Sequence, residues 1–153
     1  MRPEPSPAMR RATRGFLQSV ETSRPAAELW RALVEPQGLA GWYADVARVE
    51  PVAGGRYSVV ARPFGVREAH VDLVEPGRRL RLIYDPAPGW PPIEDGALVE
   101  DFVIDERRGR TVLRVIGSGV PAAHEWDPWL RRLQSGWAVA LARLVRQLEE
   151  AQP

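Results

Sequence analysis

Seven large apolar side chains near the C-terminus constrain this chain more than any other feature. Trp126, Leu130, Leu133, Trp137, Leu141, Leu144 and Leu148 recur at spacings of 4, 3, 4, 4, 3 and 4, the period of one helical face. Asp127-Pro128 opens the run with an acidic cap and a proline suited to the first turn. Arg131, Arg132, Arg143, Arg146 and Glu150 fall on other faces and read as a solvated surface. From Pro128 to Glu150 such a helix is ~34 Å long at ~1.5 Å per residue. A stripe of that length needs a broad apolar surface to cover it. Gly136 sits mid-helix at a cost of roughly 1 kcal/mol relative to alanine, which predicts that another backbone or a bulky ring comes close there.

The segments upstream supply that surface. Phe16–Glu21 reads as a first strand. Ser23 and Pro25 mark a helix start, and Ala26, Leu29, Trp30, Leu33 and Val34 share one helical face. Pro36 ends this helix, and a second short helical segment runs toward Trp42 and Tyr43. The period then changes to two. Asp45–Glu50, the strand holding Tyr57, Val59 and Ala61, Val71–Glu75, Arg79–Tyr84, Leu98–Asp105 and Thr111–Gly117 read as strands. Turns at Gly54-Gly55, Pro76-Gly77 and Arg108-Gly109 join several of them. Neighbours connected this tightly pair antiparallel. The fold expected is α+β: a curved antiparallel sheet wrapped around a long C-terminal helix, with two short N-terminal helices closing one end. The gap between sheet and helix is a natural cavity.

Composition bounds the function. The chain has 153 residues, net charge +1, 27% charged and 44% hydrophobic residues. That is the profile of one globular domain, not of a strongly basic nucleic-acid binder or a disordered chain. It contains no cysteine, which excludes disulfides and thiolate chemistry. All 21 basic residues are arginine, so Schiff-base chemistry and a phosphate-loop lysine are excluded. No apolar run approaches the ~20 residues of a membrane span. MRPEPSPAMR lacks the apolar core of a secretory signal. Residues 1–11 read as a disordered Pro/Arg-rich tail and residues 12–150 as a single domain, cytoplasmic by default.

Six stretches carry a resemblance: RPAAELWRAL (24–33), GLAGWY (38–43), VAGGRY (52–57), VDLVEPGRRLRLIY (71–84), GRTVLRVIGSG (109–119) and GWAVALARLVRQLE (136–149). In this order they resemble the START-like superfamily, also called SRPBCC or Bet v-like, in its heat-shock-chaperone ATPase activator branch. The resemblance spans about 16 to 149. It implies a helix-grip fold, in which the sheet grips the C-terminal helix over a hydrophobic cavity. Related proteins include lipid carriers, plant hormone receptors and aromatase/cyclases, and the branch name implies chaperone activation.

On this reading the candidate site is an aromatic-walled pocket for a small apolar or aromatic molecule. Its expected ligand-binding residues are Trp42, Tyr43, Tyr57, Tyr84, Trp90, Glu100, Phe102, Trp126, Trp129 and Leu133. Alternation in LVEDFVID sets Glu100 on the same face as Leu98, Phe102 and Ile104. An inward carboxylate must pair with an arginine, take a raised pKa or meet a polar ligand group. Glu100 and His70 are therefore candidate acid–base groups for a cavity enzyme of cyclase, aromatase or hydrolase type. An interaction module acting on a chaperone is the further alternative. No metal-ligand spacing, cofactor motif or nucleophile elbow occurs, so neither metal nor cofactor is expected. The loop from Asp85 to Gly96, with four prolines, reads as a lid candidate carrying Trp90 over the cavity mouth.

Overall fold

The computed structural model describes residues 12–151; the tail expected over residues 1–11 lies outside them. Element order is β1 (Thr13–Thr22), α1 (Ala26–Val34), α2 (Pro36–Leu39), β2 (Ala44–Val49), β3 (Arg56–Ala61), β4 (Gly65–Glu75), β5 (Arg79–Tyr84), β6 (Val99–Arg107), β7 (Arg110–Pro121), a 3-10 turn (His124–Trp126) and α3 (Asp127–Glu150). The seven strands form one sheet in the order β1-β7-β6-β5-β4-β3-β2, and every neighbouring pair is antiparallel. The helix-grip architecture expected from patterning and resemblance is the one found.

Inward and outward residues alternate as strand geometry requires. Leu80, Leu82 and Tyr84 of β5 are buried, and so are Leu98 just before β6 and Glu100, Phe102 and Ile104 within it. The helical stripe meets them: Trp126, Leu133, Trp137, Leu141, Leu144 and Leu148 are buried, while Leu130 is half-buried. The β6–β7 hairpin turns on Arg108 (φ 53°) and Gly109 (φ 77°), the two positive φ values of a tight primed turn. The ring of Phe64 occupies the space opened by Gly136. A Cβ there would lie 2.6 Å from Phe64 Cε1 and 3.3 Å from Pro63 Cγ.

Several boundaries differ from expectation, each for a local reason. β4 begins at Gly65 rather than Val71, because Val66–His70 continues the alternation with Arg67 and Ala69 inward. β1 and β7 extend past their apolar cores by pairing with each other from Thr13↔Pro121 to Thr22↔Thr111. Ser23 does not cap α1. Pro25 occupies the cap position, and the Glu106 carboxylate of β6 accepts the Ala26 N–H at 2.8 Å. Asp127 does not cap α3 either, since Trp126 takes that position. Instead the Asp127 carboxylate accepts from Arg14 Nη1 at 2.6 Å, tying β1 to the helix. Arg14, and then His124, hold the Asp127 carboxyl below the usual carboxylate range.

Candidate functional site

The gap expected between sheet and helix is occupied. Its centre is a buried ion pair between Arg67 of β4 and Glu100 of β6, both almost free of solvent at 3% and 0% exposure. The pairing is bidentate: Arg67 Nη1 donates to Glu100 Oε1 at 2.9 Å and Nη2 to Oε2 at 3.0 Å. Tyr84 Oη donates to Oε1 at 2.7 Å, and Trp137 Nε1, from α3, to Oε2 at 2.8 Å. Arg67 Nη1 also donates to Tyr43 Oη at 2.9 Å. The guanidinium lies between two rings, with Cζ 4.7 Å from the Phe64 centroid and 4.1 Å from that of Tyr84. A buried charge is tolerable only when its partners are this complete. Of the three outcomes expected for an inward Glu100, pairing with an arginine is the one realised.

The electrostatics follow from the burial. Loss of solvent is the largest effect on Arg67 and favours its neutral form. The negative charge of Glu100, followed by Tyr43 and Tyr84, outweighs it, so the guanidinium is held well above its ordinary pKa. Burial pushes the Tyr43 hydroxyl up to about 12. It raises Tyr57 and Tyr84 well above the ordinary phenol value.

Packed aromatics surround the pair. Trp137 stacks on Tyr43 at 4.8 Å and meets Phe102 edge-on at 5.4 Å. Tyr43 stacks on Trp42 at 5.2 Å. The indole N–H of Trp42 donates to the carbonyls of Ala32 and Gly38, and Tyr57 Oη donates to the Leu33 carbonyl at 2.7 Å. The Trp42 bonds tie the chain after α2 back to α1 and α2, and the Tyr57 bond ties α1 to β3 of the sheet. Tyr43, Tyr84, Glu100 and Phe102 of the expected pocket set thus gather around one point, with Trp42 and Tyr57 bonded to the N-terminal helical segment beside it.

The remaining candidates form a second group at the start of α3. Trp90 meets Trp126 edge-on at 5.6 Å, Trp126 Nε1 donates to the Pro92 carbonyl at 3.2 Å, and Trp126 lies 6.4 Å from Trp129. The 85–96 loop is thereby fastened to the helix start through Trp90 and the Pro92 carbonyl. Beside it lies a cleft lined by Phe64, Val66, Arg67, Ala87, Trp90, Trp129, Arg132 and Leu133. Its enclosed part measures about 20 Å³, and about 310 Å³ when the space open to solvent is counted. The enclosed part is room for about one water molecule.

His70 does not join Glu100. It is exposed on β4, between the inward residues Ala69 and Val71, so the strand's alternation sends it to the outer face of the sheet. Glu100 itself accepts four hydrogen bonds and has no exposed surface with which to exchange a proton with a substrate. Arg67, Phe64 and Arg132 were not singled out as site residues by sequence reasoning. Continuing the Val71–Glu75 alternation backward would have placed Arg67 inward, as the cation that an inward Glu100 demands. Among the described residues there is no group of three or more His, Asp or Glu that could hold a metal. No helix among them is long and apolar enough to cross a membrane.

The family model for activator of Hsp90 ATPase homolog 1-like proteins matches residues 23–149. The chain belongs to this family. No curated protein shows a significant sequence match. Among solved structures, protein MLL2253 from Mesorhizobium loti is 25% identical with a TM-score of 0.77, the match covering 92% of this chain and 100% of that one. The Aha1 dimer from Colwellia psychrerythraea is 19% identical with a TM-score of 0.74, over 91% of this chain and 98% of that one. CalU16 from Micromonospora echinospora is 20% identical with a TM-score of 0.69, over 86% and 74%. For the latter two the likeness is one of fold.

Proposed function

We propose that this domain binds a small apolar or aromatic molecule at the cleft between the 85–96 loop and the start of α3. The observation that carries the reading is the set of walls: three aromatic rings, Phe64, Trp90 and Trp129, with buried Leu133 beside them, converge where the packed interior opens to solvent. Aromatic, partly exposed concavities of this kind are where small apolar molecules gain most on leaving water. The enclosed volume is small, so the ligand's ring lies in the solvent-open part of the cleft, against these side chains. The interior network of Arg67 and Glu100 is then the floor of the site rather than its chemistry.

The test is a fluorescence titration with 2-naphthamide, a neutral bicyclic aromatic. Saturable change of tryptophan emission is expected, and Trp129→Ala should weaken binding by roughly tenfold or more, as for other buried aromatic anchors. His70→Ala, on the outer face, should leave it unchanged. Absence of binding by the wild-type protein across naphthyl and indolyl probes would remove the reading. A second reading, contact with a chaperone or other protein, draws support from how little enclosed space the interior holds, since a filled domain acts through its outside. It predicts stimulation of a chaperone ATPase by the purified protein, and no stimulation at saturating concentration would end it.

A further inference from the structure

We infer that the molecule taken at this cleft is a planar aromatic anion, its negative charge meeting Arg132 while its ring lies against Trp90 and Trp129. The inference rests on the binding reading above and adds the charge of the ligand to it.

Three observations carry it. First, the cleft is lined by two guanidiniums, Arg67 and Arg132, and by no aspartate or glutamate among the described residues. Second, the two are not equivalent. The charge of Arg67 is already matched by Glu100 behind it. No ion pair among the described residues joins Arg132 to a carboxylate; its guanidinium lies on the Trp129 ring. Elsewhere on the molecule, Arg14, Arg24, Arg79, Arg81 and Arg114 are paired with carboxylates. The uncompensated charge at the cleft is therefore that of Arg132. Third, this guanidinium is held in place: its Cζ sits 4.6 Å from the centroid of the Trp129 ring. Stacking on an aromatic face fixes the plane of the guanidinium without using its N–H donors. An oriented, unpaired guanidinium beside aromatic walls matches a carboxylate attached to a flat ring, because the planar fork donates two parallel hydrogen bonds to its partner's oxygens. A neutral ring satisfies the walls and leaves the cation unmatched.

The experiment compares 2-naphthoate with 2-naphthamide, which share the ring and differ in charge, by isothermal titration at low and at high salt. The carboxylate should bind about three- to tenfold tighter at low salt, the range expected for a partly exposed charged hydrogen bond. That preference should shrink at high salt. Arg132→Gln, at an exposed position, should bring the acid down to the amide's affinity. Equal affinity for acid and amide overturns the anion inference while leaving the binding reading intact. So does a preference that survives Arg132→Gln. Failure of both probes to bind overturns the inference together with the reading on which it rests.

Discussion

Replacing Arg67 by methionine tests the centre of the structure, because the new side chain is apolar and of similar length but carries no charge. The substitution removes both guanidinium bonds to Glu100 and the bond to Tyr43. It also removes the cation from between Phe64 and Tyr84. Glu100 stays fully buried with only Tyr84 and Trp137 as donors. Removing one partner of such a pair costs about 3–5 kcal/mol, because the other charge is left buried and unmatched. For a domain of this length each kcal/mol is worth about 2–4 °C, so the melting temperature should fall by about 6–20 °C. Glu100→Gln should cost a similar amount by stranding Arg67. The double variant Arg67→Met/Glu100→Gln removes both charges and keeps an acceptor for Tyr84 or Trp137. Urea unfolding of all four proteins should then show a favourable interaction energy of about 1–3 kcal/mol between the two sites. A single-variant loss below about 0.5 kcal/mol, the size of a surface substitution, would refute this reasoning. Simple additivity in the cycle would refute it as well.

Other consequences can be checked on the same protein. The chain has three tyrosines, and burial raises all three, Tyr43 to about 12 and the other two well above the ordinary value of 10. A raised folded-state value means that the stability they contribute is whole below pH 10 and is lost as pH climbs toward the folded values. Absorbance at 295 nm should therefore show no phenolate near pH 10.5 while near-ultraviolet circular dichroism remains native. Stability should decline by up to about 4 kcal/mol per pH unit above that point. A tyrosine titrating normally in the native protein would contradict the burial. Gly136→Ala should lower the melting temperature despite a helix-propensity gain of ~1 kcal/mol, because the added Cβ would meet the Phe64 ring and overpacking costs about 1–3 kcal/mol. Phe64→Leu in the same chain should recover part of the loss, and a Gly136→Ala variant more stable than wild type would count against that contact.

The sequence made the architecture legible because the strongest signals were periodic. The stripe from Trp126 to Leu148 and the alternation of Leu80, Leu82 and Tyr84 each fix a face without knowledge of a partner. The inward position of Glu100 was readable for the same reason. Its partner was not, because Arg67 lies in ARPFGVREAH, where Glu68 and His70 alternate with Arg67 and Ala69 and the inward face shows only an arginine and an alanine. The helix starts were legible by the same local logic, but their capping residues were not. Ser23 and Asp127 are good caps in isolation, but Glu106 reaches Ala26 from β6 and Arg14 takes Asp127 from β1. Both partners are distant in sequence. How full the interior is depends on the combined volume of Trp42, Tyr43, Phe64, Phe102 and Trp137, which no spacing reveals.

Ligand binding at the mouth and solid packing within are distinguished directly by the six indole N–H resonances. In a proton–nitrogen correlation spectrum of the protein saturated with 2-naphthoate, the signals of Trp90 and Trp129 should move. Those of Trp137, bonded to Glu100, and Trp42, bonded to Ala32 and Gly38, should stay in place. Large shifts of Trp42 and Trp137 with little change at Trp90 and Trp129 would mean that the ligand enters between sheet and helix, and would contradict the account.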